Sequence, residues 1–164
     1  SKKGQYRIKD NFLAFWFRFV YPMRSFIESD HPEIAMTKLK TGFIPNHVGY
    51  VYEDICRQKM WELNAQGKLP FLFDRVGRWW GGKDTEIDIV AIDTTDRSKI
   101  IFGECKFHQN VPMQLSELHQ LKEKAAVVPW GNANRDEYFA LFCISGYSED
   151  LQQLAQEDSH LLLM

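Results

Sequence analysis

Apolar positions in the first part of the chain follow a helical period. Residues 10–28 are apolar nearly all the way round a helix, which is typical of a helix buried on most sides. Asp10 is the expected N-cap, and Pro22 is expected to end or kink the helix. Such a helix in a chain without an initiator Met suggests a fragment whose upstream neighbour has been removed. A plain core helix explains the pattern equally well.

The next two segments differ in their proline and glycine content and in their periodicity. Residues 30–45 contain two prolines and a glycine, so we expect a connector with at most one short helix. Residues 46–65 follow the 3.6-residue period and are expected to form a helix that begins at Asn46 and is closed by Gly67.

From residue 69 the pattern changes to short runs of β-forming residues. The predicted strands are 69–76, 85–93 and 99–107, and the polar turn 94–98 makes the last two an antiparallel hairpin. The remaining predicted elements are a helix at 113–127, a strand at 137–144, a capped helix at 148–156 and a strand at 161–164. This order predicts an α/β fold with a mixed central sheet flanked by helices. We expect one globular unit, in which an aromatic-rich helical extension at 1–45 packs on a core at 46–164.

Composition and charge limit the class of protein, its binding partners and its compartment. Hydrophobic residues make up 45% of the 164 residues, which is typical of a globular protein. The net charge is −2, but residues 1–83 hold 14 Lys and Arg against 8 Asp and Glu, so this half can supply phosphate contacts. Three cysteines outside any C-x-x-C pattern, with neither a signal peptide nor a membrane span expected, indicate reduced thiols in the cytoplasm.

Charged residues inside the apolar predicted strands are the main functional signal. Glu104 and Lys106 share one face of the strand at 99–107, and Asp88 interrupts the hydrophobic run before it. Buried charges of this kind are costly unless they are paired or bind something. In the expected hairpin Asp88 and Glu104 face each other, and a divalent cation relieves the repulsion between two carboxylates.

Oxygen ligands favour Mg²⁺ or Mn²⁺, so we expect Asp88 and Glu104 to hold one of these ions. Lys106 is expected to orient or deprotonate a metal-bound water, or to neutralise charge on a phosphate. Glu53, on the helix before the first strand, is expected to reach the metal directly or through water.

The sequence Glu86-Ile87-Asp88, followed after a hairpin by Glu104-Cys105-Lys106, resembles the D…E-x-K core of the PD-(D/E)XK nuclease superfamily. Ile87 stands where the motif has Pro, and this difference removes no metal ligand. The resemblance implies a restriction-endonuclease-like core with Glu53, Asp88, Glu104 and Lys106 as catalytic residues. The first three would be the metal ligands, and the substrate would be nucleic acid, DNA in particular.

A closer resemblance covers nearly the whole chain, namely to the C-terminal domain of a family of prokaryotic, mainly archaeal, AAA-type ATPases. It implies an upstream P-loop ATPase and winged-helix region in the same polypeptide as partners, and it leaves the oligomeric state open. The residues that carry it are Tyr6, Asp10, Phe12-Leu13, Phe15-Trp16-Phe17-Arg18-Phe19-Val20, Gly77-Arg78-Trp79-Trp80, Glu86-Ile87-Asp88-Ile89-Val90-Ala91 and Gly103-Glu104-Cys105-Lys106.

The candidate site residues also have purely structural explanations. Glu53 taken alone is more simply a solvated helix residue paired with Arg57. Asp88 and Glu104 could form a structural salt-bridge cluster with Lys106 or Arg78, although strands this apolar favour the metal.

Other polar and aromatic residues carry weaker signals. Glu86 is a minor candidate ligand, while Gln114 and Gln120 are minor candidates for an assisting role. Trp79 and Trp80 either stack on bases or pack the sheet. Residues 77–83 match the letters of a P-loop, but Asp84 stands where Ser or Thr is needed and a strand follows, so we reject nucleotide binding here.

Two functions of different class follow from the sequence. The first is a metal-dependent nuclease domain that hydrolyses phosphodiester bonds. The alternative is a catalytically inactive nuclease-fold module that docks the ATPase to protein or DNA. The intact set of four residues favours the enzyme, and the absence of an overall basic composition favours the module.

Overall fold

The computed structural model describes residues 7–81, 85–132 and 134–164, apart from the side chains at 45 and 46. The chain divides into two compact units, Ser1–Val51 and Tyr52–Met164, which are described separately. In the described residues no helix is long and apolar enough to cross a membrane.

The first unit is helical, as the apolar period predicts. Asp10 caps the first helix, because its carboxylate accepts a hydrogen bond of 2.8 Å from the backbone N–H of Leu13. The expected interruption at Pro22 is confirmed, since the backbone tightens to a 3₁₀ turn there. The segments are α1 (Asn11–Phe15), a π-helical turn (Trp16–Val20), a 3₁₀ turn (Tyr21–Met23), α2 (Arg24–Glu28), α3 (Pro32–Phe43) and a second π-helical turn (Ile44–Val48).

Two expectations for residues 30–65 are wrong. Most of the supposed connector is the 12-residue helix α3, because Pro32 occupies its first turn, where a missing N–H costs nothing. Asn46 does not begin the next helix, since it lies inside the π-helical turn Ile44–Val48, which precedes α4 (Gly49–Ala65). The expected end is confirmed: Gly67 has a φ of +64°, a left-handed conformation that favours glycine.

The second unit is built on a mixed five-stranded sheet, which confirms the predicted α/β class. The strands lie in the order of the chain, with the first three antiparallel and the last three parallel, so the third strand is central. The strands are β1 (Arg75–Gly81), β2 (Thr85–Ile92), β3 (Lys99–Lys106), β4 (Asp136–Cys143) and β5 (Leu161–Leu163). The helices α5 (Leu115–Ala125) and α6 (Glu149–Glu157) precede β4 and β5.

The first strand was predicted six residues too early. The β-formers at Leu69 and Phe71 pack on the core from irregular backbone instead. Asn64 at the end of α4 stabilises this segment, because its side-chain amide bonds both the N–H and the carbonyl of Phe73 at 3.0 Å. A buried side chain thus supplies the partners that a neighbouring strand otherwise provides.

Helices cover both faces of the sheet. On one face Leu118 and Leu121 of α5 pack with Phe102 of β3. On the other face Cys56 and Met60 of α4 pack against Ile89, Ile101 and their neighbours. The central strand β3 is buried between these two layers as far as Glu104, which confirms the expected run of apolar positions.

Candidate functional site

A bulge in β2 sets the position of Asp88. In the ladder with β1, one residue, Arg78, lies opposite two residues of β2, Asp88 and Ile89. Ile87 therefore packs in the layer under α5, while Ile89 packs in the layer under α4. In a regular strand these two side chains would share a face. Asp88 thus lies where β2 switches faces, and bulges of this kind redirect side chains.

Beside the bulge, β2 and β3 separate. The last pair between them in the described residues is Ile89 with Gly103, whereas β3 continues to pair with β4 as far as Lys106. Past that pair a side chain replaces the backbone ladder, because Oδ2 of Asp88 accepts the N–H of Cys105 at 2.9 Å. The predicted hairpin is confirmed, and Asp88 and Glu104 flank the point where its strands diverge.

Glu104 is the central charged group of the site. It is only 7% exposed, and two ammonium groups contact its carboxylate. Lys106 Nζ lies 2.8 Å from Oε1, and Lys124 Nζ, from α5, lies 3.0 Å from Oε2. The contact with Lys106 confirms that the two charged residues of the motif share one face of β3. The negative charge of Glu104 raises the pKa of Lys106, although burial alone would lower it.

Asp88 carries the most perturbed carboxyl group of the site. Burial and the charges of Glu104 and Glu53 raise its pKa from 3.8 to about 7, against the N–H of Cys105 and the ammonium of Lys124. Among the described residues, its second oxygen, Oδ1, has no hydrogen-bond partner. Asp88 is therefore close enough to both glutamates for their negative charges to disfavour its ionised form.

Glu53 faces the same site from α4. Its side chain is 13% exposed and forms an ion pair with Arg78, while Arg57, one helical turn on, is 3.7 Å away. Burial raises the pKa of Glu53, and the two arginines oppose this shift. The expected i, i+4 partner is thus the weaker one. Arg78 also binds the exposed Glu86 at 2.7 Å, so it links the two carboxylates.

The structure places the four candidate residues Glu53, Asp88, Glu104 and Lys106 near one another, and adds Lys124. Lys124 was missed, although it follows the buried Leu121 by three residues and so borders the core-facing side of α5.

Of the minor candidates, Gln114 has a local structural role. The N-cap of α5 is Gln114, part of a capping box with Glu117, and Gln120 is exposed on the same helix. Trp79 packs on the core, while Trp80 is 49% exposed. The P-loop letters fall partly on β1, and positions 82–84 lie outside the described residues.

The donor set fits a divalent cation held by two carboxylates. Across residues 7–81, 85–132 and 134–164, no group of three or more His, Cys, Asp or Glu side chains could hold a metal ion. Mg²⁺ commonly binds through one or two carboxylates and retains several waters, which leaves Asp88 and Glu104 as the candidate pair. The free Oδ1 and the repulsion that raises the pKa of Asp88 fit such an ion. Glu53, held by Arg78, fits a water-mediated role better than direct ligation.

Comparison with known proteins places the chain in a family. A family model described as archaea bacterial proteins of unknown function, DUF234, matches residues 16–125. The chain belongs to the DUF234 family. The matched segment includes every residue of the site described above, from Glu53 to Lys124.

A longer relative also matches this DUF234 chain. The uncharacterized protein MJECL04 of Methanocaldococcus jannaschii is 35% identical over 142 residues, which is 86% of this chain and 31% of that protein. The chain thus spans about a third of the length of this curated relative. No solved structure matches the chain.

Proposed function

We propose that this domain is a metal-dependent nuclease of the PD-(D/E)XK type, with a restriction-endonuclease-like fold. The observation that carries the proposal is the meeting of Asp88 and Glu104 where β2 and β3 diverge, with Lys106 on the same face as Glu104. A carboxylate with a raised pKa beside a second, buried carboxylate is characteristic of functional sites.

Each residue has a defined task in this proposal. Asp88 and Glu104 hold Mg²⁺ or Mn²⁺, which when bound polarises a phosphoryl oxygen and lowers the pKa of a bound water. Lys106 places a positive charge where negative charge develops on the phosphate. Glu53 keeps Arg78 in place and orients water at the edge of the site. The bulge and the diverging strands fix these groups on rigid elements.

Nucleic acid, DNA in particular, is the proposed substrate. The proposed setting is the C-terminal part of a longer protein with an ATPase and a winged-helix region upstream. The length of the Methanocaldococcus jannaschii relative, of which this chain covers 31%, leaves room for such regions. In this setting the domain works in the cytoplasm.

One observation favours the alternative, a silent docking module. Protein groups already balance the charges of both glutamates, since Glu104 contacts two lysines and Glu53 contacts Arg78. A salt-bridge cluster of this kind can stabilise the fold without any metal. The two functions therefore differ in whether a cation displaces these contacts.

Titration with Mn²⁺ by calorimetry separates the two. The nuclease proposal predicts one site in the wild-type protein and at least tenfold weaker binding in Glu104→Gln and in Asp88→Asn. Glu62→Gln is the matched control, because Glu62 is an exposed residue of α4 that pairs with Lys59. Absence of Mn²⁺ binding in the wild type, with a folded protein, would replace the enzyme by the docking module.

A further inference from the structure

A groove beside α5 opens next to the carboxylate cluster. It has a volume of about 310 Å³, at the small end of the range for ligand pockets. Among the described residues, Thr85 at the beginning of β2 forms one wall. Four residues of α5 and its C-terminal end form the other: Gln120, Glu123, Lys124 and Val127. Of these five residues Lys124 alone is positively charged.

Lys124 connects this groove to the proposed metal site. Its ammonium group lies 3.0 Å from Oε2 of Glu104, and its side chain is 32% exposed. A lysine side chain has a flexible four-carbon stem and three donors, so it can reach either the carboxylate or a ligand in the groove.

The charges around Glu104 suggest why a second lysine is present. Lys106 already provides the countercharge of Glu104 at 2.8 Å, and Lys124 makes a second contact with the same carboxylate. The two lysines together balance Asp88 and Glu104. A divalent cation on those carboxylates would leave the lysines without their countercharge, and an anion in the groove would restore it.

We propose that Lys124 binds a phosphate of the nucleic-acid backbone in this groove, one contact along the strand from the site of cleavage. This inference rests on the proposed nuclease function and names a substrate contact that the motif does not contain. Thr85 and Gln120 supply neutral donors for the same phosphate. Glu123 opposes an anion there, so Glu123→Gln should tighten binding.

A purely structural role for Lys124 makes different predictions. Lysines in the last turn of a helix are favoured by its dipole, and α5 has two, Lys122 and Lys124. Lys122 is exposed and lies over the ring of Phe139, 5.2 Å from its centroid. It shares the helix turn with Lys124 but does not contact Glu104, which makes Lys122→Gln the matched control.

The test measures binding of labelled single-stranded and duplex DNA by fluorescence anisotropy across a range of salt concentrations. Ca²⁺ is present as the cation, and a gel confirms that the DNA stays intact. The slope of log affinity against log salt is negative, and loss of one phosphate contact makes it less steep by about 0.9 on duplex DNA and about 0.7 on single strands. We expect this change in Lys124→Gln, with affinity roughly two- to fivefold weaker. Lys124→Arg should restore the wild-type slope, and Lys122→Gln should retain it.

Two readouts separate substrate contact from support of Glu104. Lys124→Gln should leave Mn²⁺ affinity undiminished, because it removes a competitor for Oε2 of Glu104. A wild-type slope in Lys124→Gln, beside wild-type DNA binding, would overturn this inference alone and leave Lys124 as a support for Glu104. Failure of the wild-type protein to bind DNA at any salt concentration would overturn both this inference and the proposed nuclease.

Discussion

Replacing Asp88 by Asn should stabilise the metal-free domain at neutral and alkaline pH. Asp88 is half-buried beside Glu104 and Glu53, so its ionised form is disfavoured in the folded state by desolvation and by their negative charges. Asn is neutral and has the same shape, and its side-chain oxygen can still accept the N–H of Cys105. The substitution therefore removes the repulsion and keeps the hydrogen bond.

The size of the effect follows from the pKa of Asp88. Burial and the neighbouring carboxylates raise it from 3.8 to about 7, and one pKa unit corresponds to about 1.4 kcal/mol. Because the folded-state pKa is raised, the protonated form stabilises the fold fully below pH 4, and this contribution is lost as the pH rises through 7. The amide of the variant does not titrate, so the advantage of Asp88→Asn grows over this window to roughly 2–4 kcal/mol at pH 8.

Urea unfolding in EDTA at intervals from pH 4.5 to pH 8 measures this difference. Asp74→Asn is the contrasting variant, since the hydrogen bonds from Thr94 lower the pKa of Asp74. Loss of the Asp74 carboxylate should therefore reduce the free energy of unfolding at neutral pH. The effect should shrink as the pH falls towards the lowered pKa of Asp74. A stability difference between Asp88→Asn and wild type that does not change with pH would refute the repulsion on which the metal site rests.

Two further predictions concern the scaffold around the site, both measured by urea unfolding. Asn64→Ala leaves the buried N–H and carbonyl of Phe73 without partners, and should cost roughly 2–5 kcal/mol; no loss of stability would contradict the role given to that amide. Gly103→Ala places a Cβ 2.9 Å from Cβ of Ile89 and should cost roughly 1–3 kcal/mol. In Gly77→Ala the added carbon meets nothing within 4 Å, so equal losses in the two alanine variants would argue against crowding at the divergence of β2 and β3.

The strands of the sheet were largely predictable because their apolar runs are bounded by polar turns. The strands β2 to β5 and the hairpin between β2 and β3 lie close to their predicted positions. The error at β1 arose because residues around Leu69 and Phe71 have strand-forming side chains but pack from irregular backbone held by Asn64. A tertiary hydrogen bond of this kind leaves no local signature.

Helix boundaries near proline were less predictable. Prolines and a glycine in residues 30–45 favour a connector, but Pro32 lies in the first turn of α3, where a proline is compatible with a helix. Pro45 lies inside the π-helical turn Ile44–Val48. The sequence shows that a proline is present but not which of these solutions the chain adopts.

The candidate site was predicted from buried charges in apolar strands, and the structure assembles those residues. The strand alternation alone placed Lys106 with Glu104. The bulge that positions Asp88 could not be predicted, because it depends on the pairing of two strands rather than on either sequence. The contact of Lys124 with Glu104 depends on how α5 packs over β3, which helical spacing limits but does not determine.

Cleavage of DNA is the most direct test of the proposed function. Labelled single-stranded, duplex and branched DNA are incubated with the protein in Mn²⁺, Mg²⁺ or EDTA, alongside Glu104→Gln, Lys106→Met and the surface control Glu62→Gln. We expect cutting that needs the metal, survives in Glu62→Gln and is lost in both site variants. Cutting that persists in both site variants, or no cutting of any substrate by a wild-type protein that also binds no Mn²⁺, would contradict the proposed function.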